Sequence, residues 1–351
     1  MLSLYHKPKQ HLVGVDVGST KVSLIELSRQ NQQYRVERYA TAILPDHHPN
    51  DTHILDSTVI GTALQHVLEL AQPNTLLAAI AVPSTMVTQK VIVMDRDMSD
   101  EEREIQIRMD AEEYLPFSLQ DASFDFEVLC VCPENPDQVD VLFVATRTEH
   151  VNARVDLVEA VGLTAKVVEV ENHAMERVFQ LILDISPQPT QCFGILQVNR
   201  HDLTLSALQA NSMIYHRTHR INEQETHHST EHPVLSFKDS LSASTQAITW
   251  TDDTMSNTSS RLNHIVQQCE YALHFFFSST QLNELTHLYL AGEYTNLTGL
   301  SSQLQQKGYP VTVINPFKNM QFSSAINIEQ IKKDAPSLMI ACGLALRSFE
   351  A

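Results

Sequence analysis

The residues most able to do chemistry lie near the N-terminus, in Asp16-Val17-Gly18-Ser19-Thr20-Lys21. Apolar runs flank them, Leu12–Val17 before and Val22–Leu27 after, so they occupy a tight turn between two strands. Such a turn presents backbone N–H groups and hydroxyls to a phosphate, and Gly18 lets the backbone come close. Asp16, at the end of the first strand, is placed to hold Mg²⁺ through water. The Gly-x₄-Gly-Lys spacing of a P-loop is absent, and a strand rather than a helix follows. Alone, the motif also fits a plain hairpin.

No metal centre of comparable definition is visible. The 17 His form close pairs at His47/His48, His216/His219 and His227/His228, without further ligands at a zinc spacing. Cys130-Val131-Cys132 would put two thiols on one face of a strand, and no second pair accompanies them. Five scattered cysteines read as reduced thiols of a cytoplasmic protein. Lys+Arg 24 against Asp+Glu 42 gives a net charge of −18, which argues against nucleic acid or an anionic membrane as a direct partner. No run approaches the ~18 apolar residues of a membrane span. The opening MLSLYHKPKQHLVGVD, with Pro8 and Lys9 in a solvated lead-in, does not read as a secretory signal.

The elements that must position the turn follow from periodicity. After Leu12–Val17 and Val22–Leu27, the alternating Tyr34–Tyr39 completes a β-meander, and a helix over Asp56–Ala71 precedes a buried strand, Leu76–Val82. A smaller unit follows: β runs at Met86–Met94, Phe124–Cys132 and Gln138–Thr146, with a helix that opens at Ser99 and ends near Leu115. Ser99 with Glu102 forms a capping box, and Pro116 stops the helix. Helices at Glu149–Val161 and Asn172–Leu183 flank the strand Ala165–Val170. At Gly194–Leu205 and Met213–Thr218 the meander recurs, so two related lobes around a cleft are expected, each with α/β material. The Ser/Thr-rich stretch Asn222–Ser260, containing Pro233–Phe237 and Trp250, predicts a flexible or loosely packed segment. Order resumes in a helix over Leu262–Phe277, a strand at His287–Leu290, the loop Ala291-Gly292-Glu293, a helix to about Lys307, and Val311–Ile314. A last helix is predicted over Ala335–Phe349.

The order of two Asp/Gly-type turns and a later strand–Gly–helix matches the phosphate, phosphate and adenosine loops of the actin/Hsp70/sugar-kinase superfold. The segments LVGVDVGSTKVSLIELS, DEEREIQIRMDAEEYLPFSLQDASFDFEVL, GLTAKVVEVENHAMERVF, RLNHIVQQCEYALHFFFSSTQLNELTHLYLAGE and DAPSLMIACGLALRSF closely resemble the PilM family of type IV pilus inner-membrane assembly proteins. The resemblance spans about residues 1–192 and 261–351. It implies an actin-like α/β fold of FtsA-type arrangement, with two lobes around a nucleotide cleft and an inserted 1C-type subdomain. The corresponding division is 1–85 and 150–190 for subdomain 1A, 86–149 for the 1C-like insertion, and 191–221 for the start of 2A. Residues 222–260 stand in for much of 2B, 261–320 complete lobe 2, and 321–351 return a helix to lobe 1.

The resemblance also implies function. The family docks the cytoplasmic N-terminal peptide of PilN in a groove between 1A and 1C, for which Ile105, Met109, Tyr114, Leu115 and Phe117 are candidates. Other pilus inner-membrane and motor components are implied as partners, with the membrane reached only through them, and a homodimer is left open. Implied nucleotide contacts are Asp16, Gly18, Ser19, Thr20, Lys21, Asn199, Arg200, Gly292 and Glu293, with ATP and Mg²⁺ as cofactors. Glu171 stands where the superfold brings an acid to the γ-phosphate; it is equally an ordinary first-turn acid favoured by the helix dipole.

Departures from the family pattern weaken the ATPase expectation. Gln197-Val198-Asn199-Arg200-His201 replace a D-I-G-x-T core, removing its acid and its glycine, and Ala291-Gly292-Glu293 replaces A-G-G. Lys21 stands where the family has Ser, and Ser23 where it has Lys. A weak ATPase is the most these loops allow, and a nucleotide-free docking protein is the alternative. A small-molecule kinase of the same superfold fits less well, because it needs a general base beside an acceptor hydroxyl.

Overall fold

The computed structural model describes residues 11–45, 57–183, 188, 190–210, 212–221, 252–280 and 282–350, with the side chains of 252–259 and of 296 left out. The N-terminal lead-in at Pro8 and Lys9, His47/His48, His227/His228 and the stretch 222–251 lie outside the described residues. In chain order the elements are β1 (Val13–Val17), β2 (Lys21–Gln30), β3 (Gln33–Ile43), α1 (Ser57–Ala71), β4 (Leu77–Val82), β5 (Val87–Asp95), α2 (Asp100–Tyr114), β6 (Ala122–Val131), β7 (Gln138–Arg147), α3 (Thr148–Glu159), β8 (Thr164–Val170) and α4 (Glu171–Ile182). They continue with β9 (Cys192–Val198), β10 (Asp202–Gln209), β11 (Ser212–Arg220), α5 (Asp252–Ser279), β12 (His287–Ala291), α6 (Leu300–Gln306), β13 (Val311–Val313), β14 (Gln321–Phe322), α7 (Ile328–Asp334) and α8 (Met339–Leu346). Contacts divide the described residues into two units. Unit 1 holds those up to Thr190, Leu208–Met213 and those from Ile314 onward; unit 2 holds Gln191–Ala207 and those within Ile214–Val313.

Unit 1 is built on a sheet of order β14-β3-β2-β1-β4-β8. The meander β1-β2-β3 is antiparallel, whereas β4 and β8 add in parallel. Asn31 and Gln32 make the β2–β3 turn with φ of 49° and 64°, the left-handed values that two-residue hairpins need. Strand alternation divides the core between the sheet's faces. Ala78, Ile80 and Val82 pack with α1 and α3, while Ala79 and Ala81 pack toward α4 and α8. Two glycines set the second face. A Cβ on Gly14 would stand 2.1 Å from the Ala341 carbonyl, and one on Gly343 would stand 2.0 Å from the Ala174 carbonyl. Their absence lets α8 lie directly on β1 and against α4. Arg177 of α4 grips both Glu169 oxygens at 2.8 and 3.0 Å, donates to the Gly343 carbonyl at 2.7 Å and pairs with Glu350.

Between β4 and α3 the chain builds a small module, an antiparallel sheet of order β5-β7-β6 with α2 on one face. Ile92, Met94, Val139, Val141 and Phe143 meet Ile107 and Ala111 in its core. The capping box is present: Ser99 N–H donates to Glu102 Oε2 at 2.7 Å, and Glu102 N–H donates to Ser99 Oγ at 3.3 Å.

Unit 2 repeats the central strand order of unit 1 as β11-β10-β9-β12-β13, with β12 parallel to β9 and β13. The stripe Leu262, Ile265, Val266, Cys269, Leu273 and Phe276 of α5 is buried as its spacing predicts.

Three expectations differ. Helix α5 begins at Asp252, ten residues before the expected Leu262, inside the stretch read as loose; a helix nucleated on a buried stripe propagates cheaply through weak formers. The last helix is not continuous: 3₁₀ turns at Ala335–Ser337 and Arg347–Phe349 bracket α8, because Pro336 lacks the N–H an unbroken helix uses. The helix expected after Glu293 is a 3₁₀ turn, Glu293–Asn296, and then α6, separated by Gly299 at φ 99°. Among the described residues, no helix is long and apolar enough to cross a membrane, and no group of three or more His, Cys, Asp and Glu side chains is placed to hold a metal ion.

Candidate functional site

In unit 1, Asp16 closes β1 opposite Ser23 of β2. Gly18 N–H donates to the Lys21 carbonyl at 3.0 Å and Leu44 N–H to the Thr20 carbonyl at 2.7 Å, so the turn that carries Ser19 is braced from both sides. Arg154 Nη1 donates to the Val17 carbonyl at 2.8 Å, and Lys21 Nζ bonds Ser337 Oγ. Asp16 is buried, which pushes its carboxyl up to about 6 while Lys21 and Arg154 pull it down. Lys21 and Ser23 sit two apart on one strand and so share a face. Lys21 thus sets an ammonium beside Asp16, and Ser23 Oγ is buried without a hydrogen-bond partner. The cation, the hydroxyls of Ser19 and Thr20 and the acid on this loop fit a phosphate and its metal.

Glu171 opens α4, where Ser84 N–H donates to its Oε2 at 3.4 Å and Ser84 Oγ reaches Asn172 Oδ1 at 3.3 Å. It thus serves as a first-turn acid that fastens the 3₁₀ turn Ser84–Met86.

Unit 2 brings Asn199, Arg200, Gly292 and Glu293 to two adjoining turns, but fills the space between them. Asn199 N–H donates to the Asp202 carbonyl at 3.0 Å, and its Nδ2 donates to Asp202 Oδ1 at 2.9 Å. Its Oδ1 lies toward Gly292: a Cβ there would stand 2.7 Å from that oxygen and 2.5 Å from the Val198 carbonyl. With φ of 92°, Gly292 is required for the two turns to touch. Burial raises the Asp202 carboxyl, Asn199 lowers it, and the neighbouring Glu293 raises it further. A phosphate cradle needs open N–H groups and positive potential. The Asn199 side chain closes its own turn against Gly292, with Asp202 and Glu293 beside it, so this turn lacks the open N–H groups of a phosphate cradle.

A different site stands out in unit 1. A cavity of about 300 Å³ lies where the module meets the large sheet, walled by Val82, Val168 and Val170, by Val151 of α3, and by Val87, Phe124 and Val144 of the module. The guanidinium of Arg108 lies 4.8 Å over the Phe124 ring and pairs with Glu104 at 2.7 Å, which places one cation at the wall. Ser123 Oγ and Thr148 Oγ1, 3.0 Å apart, supply polar atoms. Apolar walls with few oriented polar groups are the usual make-up of a ligand site.

None of the five residues expected for partner docking lines this cavity. Ile105 and Met109 stand out on α2 with 58% and 73% exposure. Leu115 is a core residue of the module, and Tyr114 and Phe117 pack against that core, because helical spacing and the turn at Pro116 aim them inward. The cavity's lining comes from seven separate segments, and most of its residues are individually unremarkable apolar types. Arg108 and Phe124 alone, a cation and an aromatic within one family-like segment, gave a usable signal.

Two sheets of the same central strand order, helices on both faces of the first and an inserted sheet-and-helix module define an actin-like α/β protein. The chain belongs to the family of type IV pilus assembly protein PilM, whose family model matches residues 14–349. Among solved structures it is similar to a chain of the PilM–PilN type IV pilus biogenesis complex, at 22% identity, over 98% of this chain and 100% of that one, with a TM-score of 0.72. Ethanolamine utilization protein EutJ from Carboxydothermus hydrogenoformans matches at 12% identity over 98% and 92% of the two chains, TM-score 0.46. A Bacteroides thetaiotaomicron protein with an actin-like ATPase fold and unknown function matches at 11% identity over 98% of each chain, TM-score 0.45.

Proposed function

We propose that this chain is a docking protein of the pilus assembly machinery that receives the N-terminal peptide of PilN in the cavity between the module and the large sheet, without needing ATP. The cavity carries the reading: apolar walls from both parts, with Arg108 and the Ser123–Thr148 pair to orient a bound main chain. The solved PilM–PilN complex supports the choice of partner. An apolar side chain seated here gains about 1.5–3 kcal/mol on burial, so two anchors supply about 3–6 of the ~8 kcal/mol that micromolar binding requires, and main-chain and charged contacts supply the rest. The closed Asn199–Asp202 turn against Gly292 supports docking without nucleotide. Location in the cytoplasm, beside the inner membrane through its partners, belongs to the same proposal.

The Lys21–Asp16 pairing favours a second reading, in which the first loop still takes a phosphate and nucleotide modulates docking. Calorimetric titration of the peptide, with and without millimolar Mg-ATP, tests both. Binding of equal strength in the two titrations is expected. Absence of binding removes the docking proposal, and binding only with nucleotide replaces it by the second reading.

A further inference from the structure

The module's sheet has one face against α2 and one turned away. Pairing register places Gln89, Val91, Val93 and Asp95 of β5 on the second face, with Asp140, Leu142 and Val144 of β7, and Asp125 and Glu127 of β6. At the near end of that face, Val87 and Val144 line the cavity, and Gln89 lies 3.5 Å from both Asn172 and His173 of α4. Farther along, Val91 and Val93 are each 53% exposed, with Leu142 paired beside Val91. A sheet face turned to water ordinarily carries polar residues. Four carboxylates, Asp95, Asp125, Glu127 and Asp140, border this apolar strip, and no Lys or Arg occupies its paired positions.

We propose that the strip formed by Val91, Leu142 and Val93 continues the docking surface out of the cavity and holds the next stretch of the partner peptide, one in which apolar side chains alternate with Lys or Arg. This rests on the docking function proposed above. Continuity is one support: the cavity wall and the strip are successive positions on the same face of the same three strands. Charge is the other, since four acids around three apolar residues complement a basic, apolar segment. A second copy of this chain, at net charge −18, fits an acidic rim badly. From Gln89 to Asp95 the strand runs about 20 Å at ~3.3 Å per residue, so an extended peptide of about six residues covers it. Alternation in the peptide turns one set of side chains to Val91 and Val93, and the long stems of the Lys or Arg residues on the other side reach back to the carboxylates around the strip.

Two peptides of the partner's N-terminus test the inference, one cut to cavity length and one longer by about six residues. The longer peptide is expected to bind about tenfold more tightly, with a gain that shrinks as salt rises. The double variant Val91→Thr/Val93→Thr and the pair Glu127→Gln/Asp140→Asn each remove that gain while the short peptide binds as before. Val91, Val93 and Glu127 are exposed and Asp140 is half-buried, and an unchanged melting temperature confirms the fold. Equal affinity of the two peptides, or a gain that survives both variants, overturns the strip and leaves cavity docking standing. Failure of both peptides to bind overturns cavity docking and the strip together.

Discussion

Asp16→Asn removes a carboxyl that the fold buries at the end of β1. Burial raises that group from its ordinary 3.8 to about 6, against the opposing pull of Lys21 and Arg154. At ~1.4 kcal/mol per pH unit, an ionised Asp16 costs the folded protein about 3 kcal/mol relative to the unfolded chain. The sign follows from which state holds the proton more tightly. The folded carboxyl keeps its proton to higher pH, so its contribution to stability is complete below about pH 4 and is lost as pH climbs through about 6. Asparagine has the shape of the protonated acid and does not titrate. The variant should match the parent at about pH 4 and exceed it by about 3 kcal/mol at about pH 7.5. In a unit of this size that raises Tm by several degrees, at ~2–4 °C per kcal/mol. Urea melts followed by far-UV circular dichroism at the two pH values measure it. A stability difference that stays constant between them, or grows toward acid, refutes the burial argument.

Gly343→Ala places a methyl 2.0 Å from the Ala174 carbonyl and should destabilise unit 1 by about 2–3 kcal/mol. In contrast, Gly61→Ala in α1 meets nothing within 4 Å and should stabilise by about 0.5–1 kcal/mol; thermal melts of the two must move in opposite directions. Arg177→Leu leaves Glu169, which is 6% exposed, with only the longer Arg347 contact at 3.8 Å, and should cost about 3 kcal/mol in denaturant titration. Ser123→Trp fills the cavity wall and should weaken the short PilN peptide at least about tenfold with little change in melting temperature; an unchanged affinity places the peptide elsewhere.

Much of the fold was legible because its signals are local. The capping box at Ser99 and Glu102, the period-two meanders and the α5 stripe each state their element within a dozen residues. The close packing of α8 was not legible: Gly14 and Gly343 carry no mark of their role until a helix lies on them. Pro336 did advertise the break before α8, but the apolar run around it dominated the reading. At the candidate site the resemblance set Asn199 and Glu293 at positions where the family pattern has glycine. It did not show that the Asn199 amide turns inward to Asp202 and Gly292 and closes the turn itself. The cavity was hidden for a different reason. Its walls draw on seven segments, and an apolar residue facing a void has the same periodicity as one facing a core. That ambiguity also explains Leu115, whose helical spacing suits either a groove or the module's interior.

The central question is whether a partner peptide occupies the cavity of this chain without help from nucleotide. Isothermal titration of the PilN N-terminal peptide into the full chain, with Mg-ATP absent and then present at millimolar concentration, measures that directly. The expected result is one-to-one binding of micromolar strength or better, the same in both titrations and weakened at least about tenfold by Ser123→Trp. Binding that appears only with Mg-ATP, or that is not weakened by the filled cavity, contradicts it.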